Sequence, residues 1–153
     1  MTTHVLIIGF GYLGNILAKL LLKHEHMVSA IKRSPLSDQN NINFTFKDIL
    51  ATTIDDLTDA NYVVYCAAPP SHNSIDYQHI YHDGVNHILN HLEKKETPPS
   101  RFIYVSSTSV YGYTDGRWVD EDSPVKPKSK NAEILLAAEQ RVKQSTLDTV
   151  IIR

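Results

Sequence analysis

The sequence predicts a doubly wound α/β fold, a parallel sheet with helices on both faces, and three observations carry that expectation. Short apolar segments alternate with amphipathic ones along the whole chain, and strands alternating with helices pair in parallel through right-handed crossovers. The first apolar segment runs directly into Gly9-Phe10-Gly11-Tyr12-Leu13-Gly14. The chain has 153 residues, of which 42% are hydrophobic and 21% charged, the proportions of one ordinary globular domain with a real core.

Residues 4–8 (HVLII) read as a short, fully buried strand. Residues 12–23 form a helix on which Asn15, Lys19 and Lys23, four apart, mark one polar stripe, while Leu13, Ile16, Leu17, Leu20 and Leu21 occupy the other faces. Residues 5–22 are the most apolar stretch, but they carry Asn15, Lys19 and three glycines and follow no basic segment. A strand, a turn and a helix fit better than a targeting or membrane segment.

A second strand is expected over 27–32, a polar loop over 34–43, a short third strand over 44–46 and at most a brief helix over 53–59. Residues 62–67 (YVVYCA) make a fourth strand, stopped by Pro69 and Pro70 because proline cannot donate within a central ladder. Residues 75–94 are helical, with Val85, Ile88, Leu89 and Leu92 on one face. A fifth strand follows at 102–106, then a helix over 131–144 with Ile134, Leu135, Ala138 and Val142 inward, and a sixth strand at 149–152. The expected result is a Rossmann-type sheet of six strands in the order 3-2-1-4-5-6, with a ligand crevice at the carboxyl ends of strands one and four.

Gly9, Phe10, Gly11, Tyr12, Leu13 and Gly14 form GxGxxG, weak in isolation but meaningful between a buried strand and a helix. The first glycine allows the tight turn, the second admits a pyrophosphate to the backbone, and the third lets helix and strand pack closely. Free N–H groups at the helix start face the anion. Proteins that prefer NAD place an acid about 20 residues on to hold the ribose hydroxyls. This chain carries Lys32 and Arg33 there. A basic pair suits the 2′-phosphate of NADP; solvated surface charge is the alternative.

Fifteen basic and 17 acidic residues give a net charge of −2, so no broad basic surface advertises nucleic acid or an anionic membrane, and an anion site must be local. The single cysteine, Cys66, cannot form an internal disulfide, which suits a reducing cytoplasm.

Residues 102–112 (FIYVSSTSVYG) resemble the NAD-dependent epimerase/dehydratase group of the extended short-chain dehydrogenase/reductase superfamily. The likeness extends over the glycine turn, Lys47-Asp48-Ile49 after the third strand, Ala67-Ala68 after the fourth, and Glu121, Pro124 and Ala138-Glu139. It implies that Asp48 and Ile49 lie by the adenine, that Ala67 and Ala68 line the cofactor, and that Ser107 holds a substrate carbonyl or hydroxyl.

Two features depart from the family pattern. Its usual GxxGxxG has Ile8 at the first glycine position, with Gly9 displaced by one. Its catalytic YxxxK pair is missing. Counting back from Glu139, the tyrosine position falls on Asn131 and the lysine position on Leu135, and none of the eight tyrosines has a lysine four residues later. Hydride transfer to a carbonyl needs a proton donor, and a phenol serves near neutral pH when a neighbouring ammonium lowers its pKa. The sequence thus resembles an atypical branch that keeps the nucleotide-binding core and the serine. Tyr111 or Tyr113 could act as a substitute acid; a packed or loop tyrosine is the alternative.

Other residues invite chemistry that their surroundings do not support. His87 and His91, four apart with His79 and His82 before them, have zinc-like spacing but neither an HExxH pattern nor an acidic third ligand, and are read as a surface helix. Cys66 reads as a small buried hydrophobe. Lys126, Lys128 and Lys130 form a solvated loop cluster, and Trp118 either caps a substrate or covers the core.

These readings give a cytoplasmic dinucleotide-binding protein, NADP as cofactor with NAD the alternative, acting on a small polar metabolite such as a nucleotide-linked sugar through an incomplete catalytic set. The other reading is a non-enzymatic NAD(P)-binding sensor or partner-binding module. The resemblance implies a homodimer through the helices at 75–94 and 131–144. Residues 1–153 are expected to form the nucleotide-binding domain alone, lacking the substrate lobe into which relatives continue.

Overall fold

A computed structural model of the chain describes residues 2–36 and 41–153. The expected 34–43 loop falls partly on residues outside that set.

Six strands, β1 (His4–Ile8), β2 (Met27–Lys32), β3 (Asn43–Phe46), β4 (Tyr62–Tyr65), β5 (Arg101–Val105) and β6 (Thr149–Ile152), form one sheet. Its order is β3-β2-β1-β4-β5-β6 and every pairing is parallel, as the alternating pattern predicts. β1 lies at the centre, with His4 opposite Met27 and Ile8 opposite Ile31 on one side, and Val5 opposite Tyr62 and Ile8 opposite Tyr65 on the other.

Alternation along the central strands feeds two separate cores. Leu6, Ile8, Val63, Tyr65, Phe102 and Tyr104 point to the face covered by α3 (Gly84–Leu92) and α4 (Lys130–Lys143), where Val85, Ile88, Leu89, Leu92, Ala138 and Val142 meet them. Each such fully buried Leu or Ile contributes roughly 1.5–3 kcal/mol. Val5, Ile7, Val28, Ala30 and Val64 point the other way, toward α1 (Tyr12–Lys23).

Helix α1 differs from its expected packing. It buries Gly14 and Ala18 and packs Leu17, Leu21 and Leu22 on the sheet, while Leu13, Ile16 and Leu20 stay exposed. Two small residues four apart let the helix settle close to β1 and β2, which turns the remaining leucines outward.

In place of the expected brief helix at 53–59 stands one 3₁₀ turn, Ile54–Asp56, and another, Ile49–Ala51, precedes it. Asp48 caps the earlier turn by accepting from the Leu50 N–H. The later one is closed by a capping box between Thr53 and Asp56. The 75–94 helix is interrupted. A short α2 (Ser74–Tyr77) passes into a π-helical turn, Gln78–Asp83, before α3 begins.

The physical cause of that turn is a buried phenol. Tyr65, fully buried on β4, donates its hydroxyl proton to the Ile80 carbonyl, diverting an oxygen that a regular α-helix would pair four residues on. Gly84 makes the room, since a Cβ there would lie 2.5 Å from the Tyr65 hydroxyl oxygen.

Candidate functional site

The carboxyl ends of β1, β2, β4 and β5 open onto a cleft of about 450 Å³. Its floor is the glycine turn. Gly9 adopts φ +96°, and a Cβ on it would lie 2.2 Å from the Ala67 Cα, so the turn presses directly on the end of β4. Gly14 is equally constrained, because its Cβ would stand 2.5 Å from the Gly9 carbonyl oxygen. Gly11 has nothing within 4 Å of where its Cβ would point. Close protein packing therefore demands the first and third glycines. The second leaves open space above a helix start with no side-chain cap and no acid in its first turn, the arrangement that receives an anion.

Of the predicted cofactor residues, Gly9, Phe10, Gly11, Tyr12, Leu13, Lys32, Arg33, Asp48, Ile49, Ala67 and Ala68 all line this one cleft. Gly14 lies beneath it, buried in α1. Phe10 is held from below by an edge-on contact with Phe44, ring centroids 4.9 Å apart. The Asp48 carboxylate is shared between the Leu50 N–H and His79 Nε2, both at 3.0 Å.

The cleft also takes in Lys47, Tyr81 and Ser106, which no local motif had marked as cofactor residues. Lys47 is already engaged, its Nζ 2.7 Å from Asp56 Oδ2. That hydrogen bond, with those from Thr53, holds the Asp56 carboxyl near about 2, below its ordinary 3.8. A depressed native pKa stabilises the fold above the unfolded value, and that contribution is lost as pH falls through the native one. Asp56→Asn is therefore expected to lower stability at pH 7 and to flatten the acid-induced loss between pH 4 and pH 2 in denaturant titrations.

Cys66 also lines the cleft, with Sγ 3.1 Å from the Gly9 carbonyl oxygen, and burial pushes its thiol up to about 11. Thiolate is the reactive form. Labelling by a disulfide reagent at pH 8 is expected to be far slower than for a free thiol and to reach that rate only on unfolding.

At the end of β5 the two predicted catalytic residues separate from the cleft lining. Ser107 starts the 3₁₀ turn Thr108–Tyr111, its oxygen accepting from the Ser109 N–H at 3.2 Å. Tyr111 faces a second hollow beside β6; its hydroxyl donates to the Asp120 carbonyl at 2.8 Å and accepts from Arg153 at 3.1 Å. Tyr113 donates to the Pro124 carbonyl at 3.2 Å.

Ser106, the neighbour in the cleft, donates to Glu139 at 2.6 Å. Glu139 is 1% exposed and receives Arg153 through both carboxylate oxygens, at 2.7 to 3.2 Å. Carboxylate, guanidinium, serine and tyrosine thus tie α4, β5 and β6 together behind the cleft. Where the YxxxK pair would stand, Asn131 donates to the His72 carbonyl at 2.7 Å, and Leu135 packs with Val110 and Tyr111.

Among the described residues, no three His, Cys, Asp or Glu side chains gather to hold a metal. His87 engages the Thr52 carbonyl at 2.6 Å and stacks edge-on with His91. Trp118 is 99% exposed and covers no core. No helix among the described residues is long and apolar enough to cross a membrane.

Fold and cleft together define the doubly wound class whose glycine turn accepts a dinucleotide. The profile of the NAD-dependent epimerase/dehydratase family matches residues 5–153, and the chain belongs to that family. Solved structures agree. The Bordetella bronchiseptica enzyme WbmH, in complex with NAD+, is 25% identical with a TM-score of 0.80, covering 99% of this chain and 55% of its own. TunA, an NAD-dependent NDP-hexosamine 5,6-dehydratase involved in tunicamycin biosynthesis, is 25% identical with a TM-score of 0.82, covering 99% and 54%. A UDP-N-acetylglucosamine 4-epimerase from Methanobrevibacter ruminantium, in complex with UDP-N-acetylmuramic acid, shares the fold at 21% identity and a TM-score of 0.85, covering 99% and 54%. The chain spans about half the length of these structures. No curated protein sequence matches it.

Proposed function

We propose that this chain is the dinucleotide-binding part of an epimerase/dehydratase-type or reductase-type enzyme that prefers NADP and works on a small polar metabolite such as a nucleotide-linked sugar, in the cytoplasm. One observation carries the cofactor reading: the glycine turn and the Lys32-Arg33 pair line the same cleft. With the pyrophosphate at the start of α1, the adenosine ribose reaches the end of β2, where the two cations suit a 2′-phosphate. Asp48 and Ile49 would then border the adenine, and Ala67 and Ala68 would let the cofactor pass across β4. Bound there, the cofactor supplies or accepts a hydride. Ser107, at the carboxyl end of β5, would hold the substrate oxygen.

Titration with NADPH and NADH tests the reading. NADPH is expected to bind about tenfold more tightly, a difference of about 1.4 kcal/mol, and Lys32→Ala with Arg33→Ala is expected to erase the preference. Equal affinity for the two would defeat the NADP assignment, and no binding at sub-millimolar concentration would defeat the cofactor reading altogether.

The absent YxxxK pair favours a second reading, a non-enzymatic sensor that binds the nucleotide and docks a partner. Slow NADPH oxidation with a carbonyl substrate, lost in Ser107→Ala, would count against it. By analogy with the family we expect a homodimer through α2 to α4, which light scattering would detect.

A further inference from the structure

We propose that Tyr81 is the proton donor of this site, in place of the missing tyrosine. The proposal rests on the cofactor reading above and assigns a role that no motif in the sequence marks.

Position is the first argument. A dinucleotide whose pyrophosphate lies at the start of α1 and whose adenosine lies at the end of β2 must carry its other half toward β4 and β5. That end of the cleft is walled by Val105 of β5, by Ser106 just after it, and by Ile80 and Tyr81 from the π-helical turn. Tyr81 is there because of the turn: the extra residue, admitted by the Tyr65 hydrogen bond to Ile80 and the missing Cβ of Gly84, rotates the helix just ahead of α3. Helices with such an insertion recur at functional sites.

Elimination is the second. A donor must have a proton to give and must reach the cleft. The Tyr104 hydroxyl has no partner among the described residues but is fully buried on β5, and the Ser107 hydroxyl is the group that holds the substrate oxygen in the reading above. The other hydroxyls near this end have committed their protons. Ser106 donates to Glu139, Tyr111 to the Asp120 carbonyl and Tyr113 to the Pro124 carbonyl, while the Cys66 thiol faces the Gly9 carbonyl. Tyr12 lies at the start of α1, where the pyrophosphate would sit, and is 86% exposed. Tyr81 is partly buried against Tyr77, ring centroids 5.2 Å apart, and only burial and the Tyr77 charge act on its phenol, with no hydrogen bond among the described residues.

Chemistry supplies the step. Burial and Tyr77 push the Tyr81 phenol up to about 12 and no ammonium among the described residues lowers it, so Tyr81 keeps its proton at neutral pH and gives it only to the strongly basic oxygen that hydride addition leaves on the carbonyl. In the reductive step the carbonyl carbon gains the hydride, its oxygen gains the Tyr81 proton, and the cofactor is left oxidised. Water then reprotonates the phenolate.

The test reads Tyr81 itself. In the protein labelled with ¹³Cζ-tyrosine, one resonance, identified by its loss in Tyr81→Phe, is expected to have its titration midpoint lowered by about one pH unit or more on saturation with NADP+, because a nearby cation favours the phenolate. NADPH should leave that midpoint near its free value. An unmoved resonance with NADP+ demonstrably bound would overturn the assignment while leaving the cofactor reading intact, whereas failure of either nucleotide to bind defeats both.

With 9,10-phenanthrenequinone as carbonyl probe, Tyr81→Phe is expected to lower kcat about 100-fold, with NADPH affinity within about twofold and Tyr113→Phe unaffected. Comparable loss in both variants, rates near wild type in Tyr81→Phe, or no quinone reduction by the wild-type protein would overturn the donor role.

Discussion

Replacing Gly11 by alanine is expected to leave the fold standing and to remove the cofactor. The new Cβ would enter open space, and the residue sits at φ −89°, which alanine adopts freely. The stability cost is therefore about 1 kcal/mol, the difference between glycine and alanine at a helix N-cap. The methyl group would stand over the helix N–H groups, where a pyrophosphate must come close, and NADPH affinity is expected to fall at least about 100-fold, or about 2.7 kcal/mol. Gly9→Ala should behave in the opposite manner. Its Cβ would meet the Ala67 backbone at 2.2 Å from a left-handed φ of +96°, a strain that no side-chain rotation relieves. A loss exceeding about 4 kcal/mol is expected, with binding lost because the domain unfolds. Thermal melts and NADPH titrations of the two variants separate these outcomes. An unchanged affinity in Gly11→Ala would remove the anion site from the start of α1.

The second large effect is expected behind the cleft. Arg153→Ala would strand the Glu139 carboxylate, 1% exposed, with Ser106 as its remaining hydrogen-bond donor. Breaking a buried pair by removing one partner costs about 3–5 kcal/mol. Glu139→Ala is expected to cost a similar amount, since it leaves the guanidinium, itself 15% exposed, without its carboxylate. Replacing both, Glu139→Leu with Arg153→Met, should recover most of the loss, because well-packed apolar residues can substitute for a buried ion pair as a unit. Urea midpoints of the three variants measure this. Losses below about 1 kcal/mol in both single variants would mean that water already screens the pair. Because Arg153 also bonds the Tyr111 hydroxyl, the single variants are expected to loosen the Thr108–Tyr111 turn beside Ser107.

Much of the fold was legible because its signals are local. The apolar runs at β1 and β4, the spacing of Val85, Ile88, Leu89 and Leu92, and the glycine turn each declare themselves within a dozen residues, and the order β3-β2-β1-β4-β5-β6 follows from their alternation. Glycine spacing likewise marked the cleft floor, and distance from the turn marked Lys32 and Arg33. Less was legible where a residue's role depends on a partner far away in sequence. The unbroken apolar period across 75–94 hides a π-helical turn, because its cause is the Tyr65 hydroxyl, fifteen residues before Ile80. The adjacent serines Ser106 and Ser107 look alike in sequence, yet strand direction places one in the cleft lining and the other at the start of a 3₁₀ turn.

By itself, then, the sequence determined the class of fold, the strand order and the glycine turn that floors the cleft, since hydrophobic period and glycine spacing are properties of neighbouring residues. Only the tertiary structure decided which polar groups are free to act. It paired Lys47 with Asp56, Ser106 with Glu139 and Tyr111 with Arg153, across separations of 9, 33 and 42 residues. Through the π-helical turn it brought Tyr81 into the cleft with no hydrogen bond among the described residues. The physical reason is that a proton or charge is available for chemistry only after the fold has satisfied its buried partners, and those partners are chosen in space.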